Sequence, residues 1–148
     1  MSSEPKQLFT LEQANATLPL VREITRDLAK ISFDVFERHQ QLHRVMAGRE
    51  VDDSSPYSEE LVQVKQDLDE QAGRLEEYLV ELKQLGVEPR NGPGGRIDTV
   101  DFPSERNGRT VYLCWQLGEQ EISHWHDLEA GFAGRQQLFA GANAEEER

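Results

Sequence analysis

Two heptad-patterned stretches, followed by a switch to period two, limit this chain more than any other feature. Val21, Leu28, Val35 and Leu42 are seven residues apart, and Ile24, Ile31 and Val45 form a companion row with Arg38 in its polar slot. Leu61, Leu68, Leu75 and Leu82 repeat the spacing, with Ala72 and Leu79 read as their second row. Such rows make one apolar stripe on each of two helices. Pro19 to Ala47 and Ser55 to Leu85 are the expected spans, stopped by Gly48 and Gly86. Each span is about 30 residues, or roughly 45 Å at 1.5 Å per residue. Equal lengths and a short polar connection, Gly48 to Ser55, predict an antiparallel hairpin over 19–86.

The ends of these spans carry their own signals. Thr10-Leu11-Glu12-Gln13 has the form of a capping box and starts a short helix from Leu11 to about Thr17. Pro19 is expected to interrupt it and to open the long helix. Ser55-Pro56 caps the second long helix, with Glu59 and Glu60 near its positive end.

Beyond the loop Pro89 to Arg96, apolar residues alternate. Ile97 to Phe102 reads as a strand ended by Pro103. Asn107-Gly108 is a hairpin turn signal. Arg109 to Leu117 follows, with Val111, Leu113 and Trp115 facing one way, and Glu121 to His126 is a third strand. The expected fold is α+β: a long helical hairpin plus a three-stranded antiparallel meander with a C-terminal turn over 97–139. Residues 1–139 are read as one domain and 140–148 as a disordered acidic tail.

Charge narrows the function. The 148 residues include 28 Asp and Glu against 16 Lys and Arg, a net charge of −12. Such a surface repels phosphate backbones and anionic lipid, so no nucleic-acid or membrane partner is expected. The longest wholly apolar run, Val111 to Trp115, is too short to span a bilayer. Met1 to Leu8 is polar, without a signal-peptide core. A lone cysteine, Cys114, suits a reducing compartment, and the expected location is the cytoplasm. Phe33, Phe36, Ala29, Val62 and Val80 fall off the heptad seams, so either the meander or a second subunit must cover them. A homodimer is the expected assembly.

Chemistry-bearing residues cluster late. His124 and His126 share a face of the third strand and, with Glu129 or Asp127, suit a divalent ion such as Zn²⁺, Fe²⁺, Mn²⁺ or Ni²⁺. The opposing reading is a His-Trp-His stretch with one ring in the core and the other at the surface. The resemblance of this stretch to a cupin motif fails on spacing and on the shortage of strands. His39 and His43 also share a helix face but lack the glutamate of a zinc protease, and read as boundary residues. Cys114, opposite Trp115 in facing, is a candidate nucleophile with His126 as base, or else an inert buried thiol. Glu119, His126 and Arg135, with Asp101 and the wall of Trp115, are the candidate ligand-binding set. Arg135 alternatively pairs with Asp101, Glu119 or Glu129. No complete catalytic motif is present, so catalytic residues are unassigned.

Several segments together resemble a known family. They are Phe9-Thr10-Leu11-Glu12-Gln13-Ala14-Asn15, Val100-Asp101-Phe102-Pro103, Leu113-Cys114-Trp115-x-x-Gly118-Glu119, Trp125-His126-Asp127 and Gly131-Phe132-Ala133-Gly134-Arg135. In this order they resemble the bacterial family called "domain of unknown function 2203". The resemblance implies a small bacterial protein whose signature lies on the meander, and it brings no mechanism. The leading expectation is a dimeric structural or interaction module that recognises a protein or small molecule through the meander. The alternative is a small metal- or ligand-dependent enzyme using His126 with His124, Glu129 and Arg135.

Overall fold

The computed structural model describes residues 7–47 and 58–138. The connection Gly48 to Ser55, the Ser55-Pro56 cap and the tail 140–148 lie outside the described residues. Helix α1 spans Leu11–Met46 and helix α2 spans Ser58–Gln84. Five strands follow: β1 Glu88–Arg90, β2 Thr99–Arg106, β3 Arg109–Gln116, β4 His124–Asp127 and β5 Gln136–Gln137. They form one antiparallel sheet in the order β1-β2-β3-β4-β5. The class is α+β. The meander carries two short edge strands that alternation alone did not mark, because two or three residues are too few to show a period.

The Thr10 capping box forms, with Thr10 Oγ1 accepting from Gln13 N and Gln13 Oε1 accepting from Thr10 N, both at 3.0 Å. Pro19 does not divide the helix, contrary to expectation: α1 is continuous through it. The ring is exposed, so water can take the Asn15 carbonyl that loses its usual N–H partner. Buried Ala14, Leu18 and Val21 hold one stripe across the proline. Burial therefore outweighs a local break on the solvent side.

The hairpin seam is real, with a corrected register in α2. Val64 and Tyr78, not Ala72, fill the second row; Ala72 is exposed and Leu75 half-buried. Gln71 takes the remaining slot and meets the polar slot of α1. Arg38 Nε donates to Gln71 Oε1 at 3.1 Å, and Arg38 Nη1 lies 3.5 Å from Asp67. Reading only apolar residues as seam residues concealed this paired polar layer. At its C-terminus α2 closes with Gly86 N bonded to Lys83 O and Val87 N to Leu82 O, while Leu82 and Val87 are both buried.

The helices cover one face of the sheet. Val100, Phe102, Val111, Leu113, Trp115 and Trp125 pack with Leu18, Val21, Leu28, Leu82 and Ile122. Truncating a leucine in such a position costs about 2–5 kcal/mol. Side chains of α1 also pin the loops: Asn15 Oδ1 accepts from Ile122 N and Ser32 Oγ from Ile97 N, each at 2.9 Å. Ala29 is buried, and the loop at Gly95 packs against Phe36, so the meander side covers part of the off-seam surface. Phe33 and Val62 stay 40% and 52% exposed.

Pro103 lies inside β2 rather than ending it. Its carbonyl accepts from Phe9 N at 2.7 Å, on the edge away from β3. The missing N–H would point to that same edge, so no ladder bond to β3 is lost. The Asn107-Gly108 turn forms with positive φ at both residues, 56° and 82°, as a two-residue hairpin of this hand requires. Among the described residues, no helix is long and apolar enough to cross a membrane.

Candidate functional site

Alternation places the polar residues of the sheet on the face turned from the helices. The hairpin turn sets Asp101 opposite Cys114, and β3 sets Cys114 opposite His124 and Tyr112 opposite His126. In β1, Glu88 lies opposite Asp101 and Arg90 opposite Thr99. Asp101, Cys114 and His126 are all buried although this face carries no helix. Tyr112 and Arg90 help to cover them: the Tyr112 ring stands 5.5 Å from that of His126, and the Arg90 guanidinium lies over Tyr112 at 4.9 Å.

Asp101 is the centre of this layer. Arg90 Nε donates to its Oδ2 at 2.7 Å, and His126 Nε2 lies 3.1 Å from its Oδ1. The other ring nitrogen, Nδ1, is 2.8 Å from the Asp127 carbonyl. Arg90 also reaches Glu88 at 2.9 Å, and Tyr112 Oη donates to Glu88 at 3.0 Å. A buried carboxylate is tolerable only with such partners. Burial first, then the charge of Asp101, pushes the Cys114 thiol up to about 12. At neutral pH Cys114 is therefore a thiol, not the thiolate that a nucleophile needs.

A second cluster sits beside the first. Arg135 Nη2 donates to Glu119 Oε1 at 2.8 Å and to the Cys114 carbonyl at 3.2 Å. The turn that delivers Arg135 depends on two glycines. Gly131 has φ of 69°, and a Cβ on Gly134 would stand 2.5 Å from that of Ala130. This turn also stacks Phe132 on the Arg135 guanidinium, 4.6 Å away. Desolvation pushes the Glu119 carboxyl up, but Arg135 and the Gln116 N–H together hold it below its ordinary value. His124 is lowered, by burial first and then by the charge of Arg135.

A cavity of about 460 Å³ opens over this layer. Asp101, Cys114 and Thr99 line it, together with Arg90, Gly92, Pro93 and Phe132. A larger depression of about 630 Å³, beside Leu79, Lys83 and Val87, borders Glu88 and Arg90 but not the buried groups.

The candidates from sequence are thus divided. Glu119 and Arg135 meet, and His126 joins Asp101. Trp115 lies on the helix side of the sheet, its Nε1 donating to the Glu119 carbonyl at 2.9 Å, so it braces the turn from behind. His124 bonds Ser123 at 3.1 Å and lies 4.0 Å from Glu119. Glu129 is exposed in the turn after β4. Among the described residues the metal-type donors that converge are Asp101, Cys114 and His126, which share only His126 with the expected His124, His126 and Glu129. Arg90 and Tyr112 were missed. Arg90 stands in a Pro/Gly-rich stretch that reads as loop, whereas Tyr112 was legible as a polar-face residue of β3.

Residues 7–138 match the profile of a family described as "Uncharacterized conserved protein (DUF2203)", and the chain belongs to that family. Comparison with curated proteins and with solved structures gives no match.

The Glu119–Arg135 pair gives a pH-dependent contribution of known sign. A carboxyl held below its ordinary value of 4.5 adds stability that is fully present above that value and is lost as pH falls through the lowered one. The urea midpoint of the wild type should therefore fall more steeply on acidification below about pH 4.5 than that of Glu119→Gln. Parallel curves for the two proteins would contradict the pairing.

Proposed function

We propose that this member of the DUF2203 family is a homodimeric recognition module that takes a small organic ligand on the helix-free face of its sheet. The observation that supports this is the cavity of about 460 Å³ above Asp101 and Cys114. Ligand sites combine apolar walls with a few placed polar groups. Here Pro93 and Phe132 supply apolar wall, while Thr99, Gln116 and Asn91 offer neutral hydrogen-bonding groups. The net charge of −12 and the Asp98 carboxylate at the cavity disfavour polyanions, because the Arg90 guanidinium that also lines it is already paired with Asp101 and Glu88. The ligand class is a neutral or cationic ring compound with amide-like edges.

Binding rather than covalent catalysis is the better reading, because the raised Cys114 thiol is not activated. An enzyme using His126 with His124, Glu129 and Arg135 has less support, since Glu129 is exposed and His126 faces Asp101 instead. A lone thiol kept in its reduced form also suits the cytoplasm.

The homodimer reading rests on the far half of the hairpin. Val35, Leu42, Val45 and Leu61 belong to the seam yet are only half-buried, and Val62 beside them is exposed. A second hairpin packed there would complete their burial as a four-helix bundle.

The cavity is tested by a ligand-observed NMR fragment screen. Ring-amide fragments should bind the wild type, and Gln116→Trp, which fills the cavity, should abolish their signals while the fold persists. Fragment signals unaffected by Gln116→Trp would place the binding elsewhere and contradict the reading. For the assembly, sedimentation equilibrium at high-micromolar concentration should give a dimer, and a clean monomer would contradict it.

A further inference from the structure

The donor atoms of Asp101, Cys114 and His126 lie within 4.8 Å of one another, and all three residues are buried. They come from β2, β3 and β4, so the sheet itself fixes their spacing. His126 Nδ1 faces the Asp127 carbonyl at 2.8 Å, which sets the ring proton there. Nε2 is left pointing at Asp101 Oδ1, 3.1 Å away. In the neutral ring that nitrogen is a lone pair facing a carboxylate lone pair, and two acceptors this close need a proton or a cation between them. A ring N–H anchored on a backbone carbonyl is also how metal-binding histidines are oriented. Arg90 occupies the other oxygen of Asp101 at 2.7 Å, leaving Oδ1 for the histidine side.

The size and charge of the gap fit one ion. Bonds of about 2.0–2.3 Å around a tetrahedral zinc separate neighbouring ligand atoms by about 3.3–3.8 Å. The histidine–aspartate edge, 3.1 Å, is close to that, and the sulfur, within 4.8 Å of both other donors, has to draw in by no more than roughly an ångström. Carboxylate and thiolate together cancel a divalent charge, so the filled centre is neutral and tolerates burial. The neighbouring cations are already engaged, Arg90 also with Glu88 and Arg135 with Glu119. Sulfur and imidazole donors select borderline transition ions over Mg²⁺ and Ca²⁺.

We propose that Asp101, Cys114 and His126 form a binding site for a divalent transition ion of the zinc class, with its fourth coordination position open to the cavity. Asp101 and Cys114 both line that cavity, which supplies the entry path. The ion binds the Cys114 sulfur, and the thiol proton leaves to the buffer. This site adds to the ligand-binding reading and does not rest on it.

The test is titration of the metal-free full-length protein with Co²⁺, followed by displacement with Zn²⁺. Cys114 is the sole cysteine of the chain, so any thiolate-to-cobalt charge-transfer band belongs to it without recourse to a variant. The band should saturate at one equivalent and vanish on adding Zn²⁺. Cys114→Ser should abolish it, and both Cys114→Ser and His126→Gln should weaken Zn²⁺ in chelator competition by roughly tenfold or more. Absence of the band in the wild type overturns the proposal. So does Zn²⁺ affinity unchanged by both substitutions, which would assign the ion to a site such as the His39/His43 pair of α1. A saturating band in a protein that binds no fragment supports the ion site and removes only the ligand reading.

Discussion

A carboxylate buried on the uncovered face of a small sheet is the constraint on which the rest of this structure turns. Asp101 is 1% exposed. An unpaired charge there would cost several kcal/mol, so the chain must bring partners to it from elsewhere. Arg90 arrives on β1 and His126 on β4, either side of the β2–β3 hairpin. The three-residue β1 is long enough for this purpose because its pairing places Arg90 next to the carboxylate. Glu88 and Tyr112 then orient Arg90, and Tyr112 covers His126. Removing any one of these groups leaves the others with a desolvated charge or donor, which makes the layer a unit rather than a set of independent contacts.

The helical hairpin serves this layer indirectly. It buries the opposite face of the sheet, and its N-terminal half fixes the loops through Asn15 and Ser32. With one face closed by α1 and α2, the sheet can present the other as a site framed by loops. The two clusters on that face join Asp101, Cys114, Glu119, His126 and Arg135, which fall in the segments that carry the resemblance, with Glu88, Arg90 and Tyr112, which do not. The glycines of the last segment let the chain turn tightly enough to bring Phe132 and Arg135 over the third strand.

Much of the fold was legible because its signals are local and periodic. The capping box, the heptads, the Gly86 stop and the Asn107-Gly108 turn each act within a few residues. Pro19 and Pro103 misled because the cost of a proline depends on which way its missing N–H would face, and that is tertiary information. The α2 register slipped because Gln71 is polar, and only its partner Arg38 shows why it belongs in the seam. In the site, the Glu119–Arg135 pair was among the pairings that the sequence offered. The opposition of Asp101 and Cys114 was also within reach, by counting outward from the hairpin turn. The approach of His126 to Asp101 was not, since it needs the lateral reach of a side chain from β4 to β2 across β3. Arg90 was hidden for a similar reason: only the sheet edge it pairs with makes its loop-like segment a strand.

The measurement that bears most directly on this account is a double-mutant cycle between Asp101 and His126. Unfolding free energies would be compared for wild type, Asp101→Asn, His126→Gln and the double variant. Both side chains are 2% exposed, so solvent screens their interaction little. The account predicts a coupling energy of about 1–3 kcal/mol, each single variant costing more than the additional loss in the double. Losses that add to within about 0.3 kcal/mol would mean that the two residues do not share a network, and the proposed centre of the structure would be wrong.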